Sequence, residues 1–187
     1  MTKRSPSWRA PARPEDEGRY GNLPLHRPLC HQEADRSDKP RWVREEPPLS
    51  REHAETLDTF RLNQLRSLMA LDRSIEAIVN RMSELGQLDR TVIIYLSDNG
   101  VFWGEHGLAG KDAVYEEAIR VPFAVRYPRL AAPRTERRVV ANIALAPTIL
   151  ELAGIGQPYP MDGVSLVPLL AGREVEYRRR VGFLGDG

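Results

Sequence analysis

Apolar residues recur every three or four positions between Ser50 and Leu85, a spacing that predicts one long helix or two consecutive helices. Ser50 suits the start of this helix because its hydroxyl can cap free backbone amides. Gly86 suits the end because glycine adopts left-handed backbone without a steric penalty. We expect the apolar residues to form one buried stripe, which comprises Leu57, Phe60, Leu68, Leu71, Ile75, Ile78, Met82 and Leu85.

A nearly continuous apolar run follows at residues 91–96, with no alternation of polar and apolar positions. Such a run predicts a strand covered on both faces, as in a parallel sheet. A second strand is predicted at residues 122–127 after a helical turn at 115–120, and a further helix at about 147–153. This order of elements predicts an α/β fold with a mainly parallel sheet flanked by helices.

The first 49 residues have a different character, because they hold eight of the 15 prolines and almost no periodic apolar pattern. We therefore divide the chain into a proline-rich extended segment, residues 1–49, and a folded part, residues 50–187. Disorder is the simpler interpretation of the first segment. The alternative is that Trp8, Tyr20 and Trp42 anchor it on a neighbouring surface.

Composition narrows the possible functions. The 27 basic and 26 acidic side chains leave a net charge of +1, which argues against binding nucleic acid. No apolar run approaches the ~18 residues of a membrane-spanning helix, so we expect no membrane association. The opening residues lack the apolar segment of a secretory signal, which makes a cytoplasmic location the default and leaves the compartment unknown. The single cysteine, Cys30, excludes an internal disulfide and is expected to be a spectator thiol.

Candidate chemistry follows the first predicted strand, in Ser97-Asp98-Asn99-Gly100. Ligands of open α/β sheets bind outside the carboxyl ends of strands, where such loops lie. The carboxylate of Asp98 and the amide oxygen of Asn99 are hard donors that suit calcium or magnesium. The alternative is a simple turn, since Asn-Gly is a strong hairpin signal. The absence of an alternating partner strand after residues 101–104 weakens the hairpin interpretation.

Glycines at three-residue intervals, Gly104, Gly107 and Gly110, place His106 and Lys111 on a loop. The ammonium group of Lys111 could neutralise an anion beside a metal, or it could be an ordinary solvated lysine. His106 could be a proton donor, an anion contact or a packed loop histidine. The residues alone leave these alternatives open.

The combined motifs closely resemble the sulfatase family of the alkaline phosphatase superfamily. The order and spacing of these motifs are specific, and the resemblance covers nearly the whole chain. The motifs are Val92-Ile93-Ile94-Tyr95-Leu96-Ser97-Asp98-Asn99-Gly100, Gly104-Glu105-His106-Gly107-Leu108, Lys111, and the segments 33–40, 115–122, 147–155 and 161–170.

The resemblance implies a sulfuric ester hydrolase with an alkaline phosphatase-like fold, incomplete here. It implies that Asp98 and Asn99 are ligands of a single divalent cation, calcium or alternatively magnesium, and that Lys111 contacts the sulfate group. His106 lies in the matching loop and is carried over as a catalytic residue whose role varies among family members. The implied substrate is a sulfate ester, either a small molecule or a carbohydrate.

Two family features are absent from this sequence. Sulfatases use a formylglycine made within a Cys/Ser-x-Pro-x-Arg motif, whereas Ser5-Pro6-Ser7-Trp8-Arg9 has its proline one place too early. The paired aspartates that complete the family's metal shell are also missing, and Ala144 stands where an aspartate is usual. We therefore expect the later part of a catalytic domain, inactive alone, with the missing N-terminal half as a potential partner.

Two alternatives to a sulfatase fragment remain. A phosphonate or phosphate monoester hydrolase of the same superfamily would use a similar anion pocket. A non-catalytic remnant, or a partner chain that binds an anion, would show no turnover.

Overall fold

The computed structural model describes residues 27–173, which divide into two compact units. Residues 27–85 and 99–120 form the first unit, and residues 86–98 and 121–173 form the second. Residues 1–26 lie outside the described part of the chain, and with them the predicted anchors Trp8 and Tyr20 and the Ser5–Arg9 motif. The division of the chain at residue 49 stays a prediction.

The end of the proline-rich segment contains a short helix, α1, at Arg41–Glu45. The expectation of extended backbone is therefore wrong for these five residues. Pro40 precedes the helix, and the Arg36 guanidinium donates to the carbonyl oxygen of Val43 at 2.9 Å. The side chain of Val43 is fully buried. Tertiary contacts thus stabilise a helix that is too short to produce a periodic sequence pattern.

The long helix forms as one element, α2, at Arg51–Glu84. The Ser50 hydroxyl accepts a hydrogen bond from the His53 amide at 3.2 Å, and Gly86 has a left-handed φ of 63°. No residue of this helix is buried, however, and Leu68 and Ile78 are exposed. The expectation of a buried stripe is wrong for this chain, because helix formation needs only local signals while burial needs a covering surface. Among the described residues, no helix is both long and apolar enough to cross a membrane.

The first unit also contains a short hairpin followed by one helical turn. Strand β2, Phe102–Trp103, pairs antiparallel with β3, Ala109–Gly110, and α3 spans Glu116–Ile119. We predicted no alternating partner strand after residues 101–104; a short partner strand does form, but the connection between the two strands is residues 104–108 and not Asn99-Gly100. Two-residue strands are too short to show alternation in the sequence. Buried side chains pack between the hairpin and α3: Phe102, Leu108, Ala113 and Ala118.

The second unit contains the main pair of strands. Strand β1, Ile93–Leu96, pairs with β4, Phe123–Arg126, in an antiparallel register that runs from Ile93 opposite Arg126 to Leu96 opposite Phe123. Both sheets among the described residues are thus antiparallel, which differs from the predicted parallel sheet. An apolar run reports how a strand is covered, and it does not report the direction of the neighbouring strand. The predicted burial of both faces of this strand is also incomplete, since Tyr95 is exposed.

Helices α4, Leu145–Leu152, and α5, Val167–Leu170, pack around a second apolar cluster. Ala144, Leu166 and Leu169 are buried in it. The Thr148 hydroxyl donates to the Ala144 carbonyl at 2.6 Å and accepts from the Leu166 amide at 2.8 Å. The start of α4 has no side-chain cap, consistent with alanine at position 144. Burial of that alanine explains why an apolar residue is tolerated there.

Candidate functional site

The loop after β1 passes very close to α3. The Gly100 amide donates to the carbonyl oxygen of Ala118 at 2.8 Å. A Cβ atom at position 100 would lie only 1.9 Å from the carbonyl oxygen of Glu117. Glycine is therefore required here for the close passage of the backbone, and this passage fixes where Asn99 lies.

The structure brings Asn99 and Lys111 together. The Lys111 ammonium donates to Asn99 Oδ1 at 2.8 Å, although the two residues are twelve positions apart. The Asn99 side-chain nitrogen donates to the Gly100 carbonyl at 2.9 Å, which orients the amide with its oxygen towards Lys111. An amide oxygen has two lone pairs, so Asn99 Oδ1 can also accept a second ligand. The Lys111 side chain is exposed to solvent.

Asp98 precedes Asn99 directly in the chain and is exposed. Its Oδ1 atom lies 3.5 Å from the Ser97 hydroxyl, at the long limit of a hydrogen bond. Asp98 and Asn99 are adjacent in sequence, and their carboxylate and amide oxygens are hard donors of the kind that calcium or magnesium prefers.

His106 makes a different set of contacts. Its Nδ1 atom lies 2.8 Å from Glu33 Oε1, and its Nε2 atom lies 3.6 Å from Glu117 Oε1. The imidazole stacks on Tyr115 with ring centroids 4.7 Å apart. Its backbone is left-handed, with a φ of 56°, which is uncommon for a residue other than glycine. These contacts favour a packed loop histidine over the other two interpretations.

Two side chains near His106, Glu33 and Cys30, have shifted pKa values. The hydrogen bond with His106 lowers the pKa of Glu33 below its ordinary value, and Lys39 lowers it further. Burial raises the pKa of the Cys30 thiol, and the carboxylates of Glu117 and Glu105 add to this effect. The environment of His106 is therefore rich in negative charge.

Sequence reasoning missed Glu33 and Glu117 as partners of His106 and treated Cys30 as a spectator. Glu33 lies 73 positions from His106, and no spacing rule connects positions so distant. Both glutamates lie inside segments that carry the family resemblance, which was the only available signal. The structure shows what that resemblance left open, namely which side chains meet.

Comparison with known proteins gives matches along most of the chain. The family described as N-sulphoglucosamine sulphohydrolase, C-terminal, matches residues 104–183. The Drosophila melanogaster protein named extracellular sulfatase SULF-1 homolog is 35% identical over 173 residues, covering 89% of this chain and 16% of that protein. Its name places that relative outside the cell, and the cytoplasmic default of the sequence analysis has no support.

Two solved structures have similar folds and more than 30% identity. A protein in complex with its substrate, D-glucosamine-2-N,6-O-disulfate, superposes with a TM-score of 0.61 and 35% identity, covering 65% of this chain and 26% of that one. The phosphonate monoester hydrolase of Silicibacter pomeroyi superposes with a TM-score of 0.62 and 32% identity, covering 66% of this chain and 25% of that one.

These likenesses place the chain among sulfatase-like α/β proteins. It belongs to the sulfatase family and corresponds to the C-terminal part of the catalytic domain. The chain spans about a sixth of the Drosophila relative and about a quarter of each solved structure.

Proposed function

We propose that the protein to which this chain belongs hydrolyses sulfate esters, with Asp98 and Asn99 binding a divalent cation and Lys111 contacting the sulfate group. The observation that carries this proposal is the 2.8 Å contact between the Lys111 ammonium and Asn99 Oδ1. It places the positively charged ammonium group of Lys111 beside Asn99 Oδ1, the oxygen that the family resemblance implies as a cation ligand.

The contact also indicates how the site would take an anion. Two unit charges of the same sign that lie 4 Å apart repel by about 4 kcal/mol at an effective dielectric constant of 20, and a divalent ion repels a unit charge more strongly. A cation bound to Asn99 would therefore push the Lys111 ammonium away from Oδ1. Lys111 is exposed and flexible, so it can turn to an anion that lies between the two positive charges. A sulfate group has several oxygens and can meet both charges at once.

Calcium is the cation that we propose, with magnesium as the alternative, because Asp98 and Asn99 offer only hard oxygen donors. When bound, such an ion stabilises charge that develops on the sulfate oxygens. Asp98 and Asn99 hold the ion, and Lys111 orients the ester and offsets its negative charge. His106 stays a predicted catalytic residue, and we assign no step to it because its ring contacts Glu33 and Glu117.

Formylglycine does not fit any residue of this chain, since the sequence contains no Cys/Ser-x-Pro-x-Arg motif. We derive no step from it. We propose that the 187-residue chain alone does not turn over sulfate esters, and that it acts together with an N-terminal half that supplies the nucleophile and the remaining metal ligands. In that complete domain, β1 would join parallel strands, with β4 as an antiparallel neighbour in a mixed sheet.

The substrate class that we propose is a sulfated carbohydrate, specifically an amino sugar. A solved relative binds D-glucosamine-2-N,6-O-disulfate, and the matching family is described as an N-sulphoglucosamine sulphohydrolase. A phosphonate monoester hydrolase is the second candidate, because a structure with that activity superposes equally well. Its substrate is also an anionic ester that a cation and a lysine can bind.

The two candidates are separated by rates on 4-nitrophenyl sulfate and on 4-nitrophenyl phenylphosphonate. The protein is expressed from the longest reading frame that contains this chain, and we expect it to prefer the sulfate. Lys111→Ala should lower kcat/KM by about a hundredfold, as is usual for the loss of an anion-stabilising group. Arg120→Ala is the matched control, because Arg120 is an exposed cation paired with Glu116, and it should leave the rate unchanged.

A preference for the phosphonate would replace the proposed activity with the second candidate. If Lys111→Ala hydrolysed the ester at the wild-type rate, Lys111 would not be a contact of the sulfate group. No turnover of either ester would favour a non-catalytic remnant. Sulfate hydrolysis by the 187-residue chain alone would contradict the proposed need for an N-terminal half.

A further inference from the structure

We propose that Cys30, His106 and Glu117 form a second metal site, separate from the oxygen pair of Asp98 and Asn99, which binds zinc or a similar transition-metal ion. The thiol sulfur, one imidazole nitrogen and one carboxylate oxygen all lie within 4.8 Å of one another. Glu117 Oε1 lies 3.8 Å from Cys30 Sγ and 3.6 Å from His106 Nε2.

These separations are close to those of a tetrahedral zinc site. Zinc bonds of about 2.3 Å to sulfur and about 2.0 Å to nitrogen or oxygen place the ligand atoms about 3.3–3.6 Å apart. The distance from Glu117 Oε1 to His106 Nε2, 3.6 Å, lies at the upper end of this range, and the distance to Cys30 Sγ, 3.8 Å, is slightly longer. Three protein ligands leave the fourth position of zinc for a water molecule.

Glu33 orients the imidazole as a metal ligand requires. Its carboxylate can only accept a hydrogen bond, so His106 Nδ1, 2.8 Å away, carries the proton. In the neutral ring, Nε2 then presents its lone pair on the side of Glu117. A carboxylate that holds the distal nitrogen of a metal-binding histidine is a common feature of zinc sites. Tyr115 packs against the ring and limits its rotation.

The backbone holds Cys30 and His106 together although they are far apart in sequence. The His106 amide donates to the Cys30 carbonyl at 2.6 Å, and the Gln32 amide donates to the Gly104 carbonyl at 2.7 Å. His106, which makes the first of these contacts, has a left-handed backbone with a φ of 56°. The ligand set is therefore positioned by the fold and does not depend on loop motion to assemble.

Local charge also favours a cation. Burial is the largest cause of the raised pKa of the Cys30 thiol. The negative charges of Glu117, Glu105 and Glu33 raise that pKa further. Without a metal, a thiolate here would face three carboxylates. A divalent ion would offset that charge, and its binding would release the thiol proton.

The donor set distinguishes this site from the one proposed for ester hydrolysis. Thiolate and imidazole select zinc or cobalt, whereas carboxylate and amide oxygens select calcium. A bound ion would join the segment around Cys30 to the hairpin loop and to α3. Its expected effect is structural, because metal-binding free energy adds to folding free energy when the unfolded chain lacks the site.

Cobalt(II) provides a direct test with the 187-residue chain. Cys30 is the sole cysteine, so any thiolate-to-cobalt charge-transfer absorption reports on this residue. We expect this band to saturate at one equivalent and to disappear in Cys30→Ser. Glu33→Gln should weaken cobalt binding by about 10–100-fold, because it removes the partner of the ligating histidine. Glu117→Gln and His106→Gln should weaken it further.

His53→Ala is the matched control, since His53 lies in the first turn of α2 and should leave cobalt binding unchanged. Excess calcium should not displace cobalt. Displacement by calcium would show that cobalt occupies a general oxygen site, and it would overturn the proposal without touching the proposed ester hydrolysis.

The proposal is also overturned if no charge-transfer band forms, or if Glu117→Gln and His106→Gln bind cobalt as tightly as the wild type. Circular dichroism checks that each variant is folded. Zinc should raise the unfolding temperature of the wild type and leave that of Cys30→Ser unchanged, which provides a second readout.

Discussion

Different kinds of interaction stabilise residues 99–120 and residues 140–170. In the first region the backbone passes closely at Gly100, and polar side chains such as Lys111 and His106 make the specific contacts. In the second region apolar side chains pack around Leu166. The buried hydroxyl of Thr148 in α4 accepts a hydrogen bond from the Leu166 amide, which precedes α5. Both regions have left-handed glycines, but only the first has a left-handed histidine, His106.

This difference follows from what each region must expose. A site for an ion and an anion needs polar groups within reach of solvent, so apolar burial cannot supply all of its stability. Backbone geometry and hydrogen bonds must supply the rest. Substitutions that act on the backbone should therefore affect the first region most, and substitutions that act on burial or on buried polar groups should affect the second.

The largest expected effect is that of Gly100→Ala. The new Cβ atom would lie 1.9 Å from the Glu117 carbonyl oxygen, so the loop or α3 must move. We expect the free energy of unfolding to fall by about 3 kcal/mol, at the upper end of overpacking effects. Urea unfolding measures this change. Gly156→Ala is the control, because its Cβ meets nothing within 4 Å, and equal effects of the two substitutions would contradict the close passage.

Thr148→Val should have a smaller effect. It preserves the shape of the side chain and removes the hydroxyl, so the Leu166 amide loses its 2.8 Å acceptor in a buried environment. We expect a loss of about 2 kcal/mol in the free energy of unfolding. Thr135→Val, in the same unit and exposed, is the control. An unchanged urea midpoint for Thr148→Val would show that the hydroxyl is not needed between α4 and α5.

Glu33→Gln should have the smallest effect, and it should depend on pH. The pKa of Glu33 is lowered in the folded chain, so its contribution is complete above its ordinary pKa of about 4.3 and is lost as the pH falls through the lowered value. Urea unfolding at about pH 6 and about pH 3 should therefore show a smaller acid destabilisation in Glu33→Gln than in the wild type. Glu45→Gln, which breaks an exposed ion pair, should leave the pH dependence unchanged.

The sequence predicted elements whose signals are local. Ser50, Gly86 and the apolar spacing between them are enough to define α2, and strands β1 and β4 are bounded by turns. Arg41–Glu45 and the β2–β3 hairpin could not be predicted, because tertiary contacts and not a sequence pattern determine them. The direction of pairing between β1 and β4 was equally inaccessible, since a continuous apolar run is compatible with either direction.

The candidate site divides in the same way. Asp98, Asn99 and Lys111 could be proposed together because their motif spans only fourteen residues. The Lys111 ammonium contacts Asn99 Oδ1 at 2.8 Å, and the roles of the three residues stay predictions. The partners of His106 could not be proposed. Glu33 and Cys30 lie more than seventy positions away, and only the folded backbone brings them to the imidazole.

The central claim is that Asn99 binds the cation used in sulfate ester hydrolysis, and the calcium dependence of turnover tests it most directly. The measurement is the calcium concentration that gives half-maximal hydrolysis of 4-nitrophenyl sulfate by the protein from the longest reading frame. Asn99→Ala should raise this concentration by at least about tenfold, as expected for the loss of a metal-binding group. Asn142→Ala is the control for loss of an asparagine. A half-maximal calcium concentration equal to that of the wild type would contradict the account.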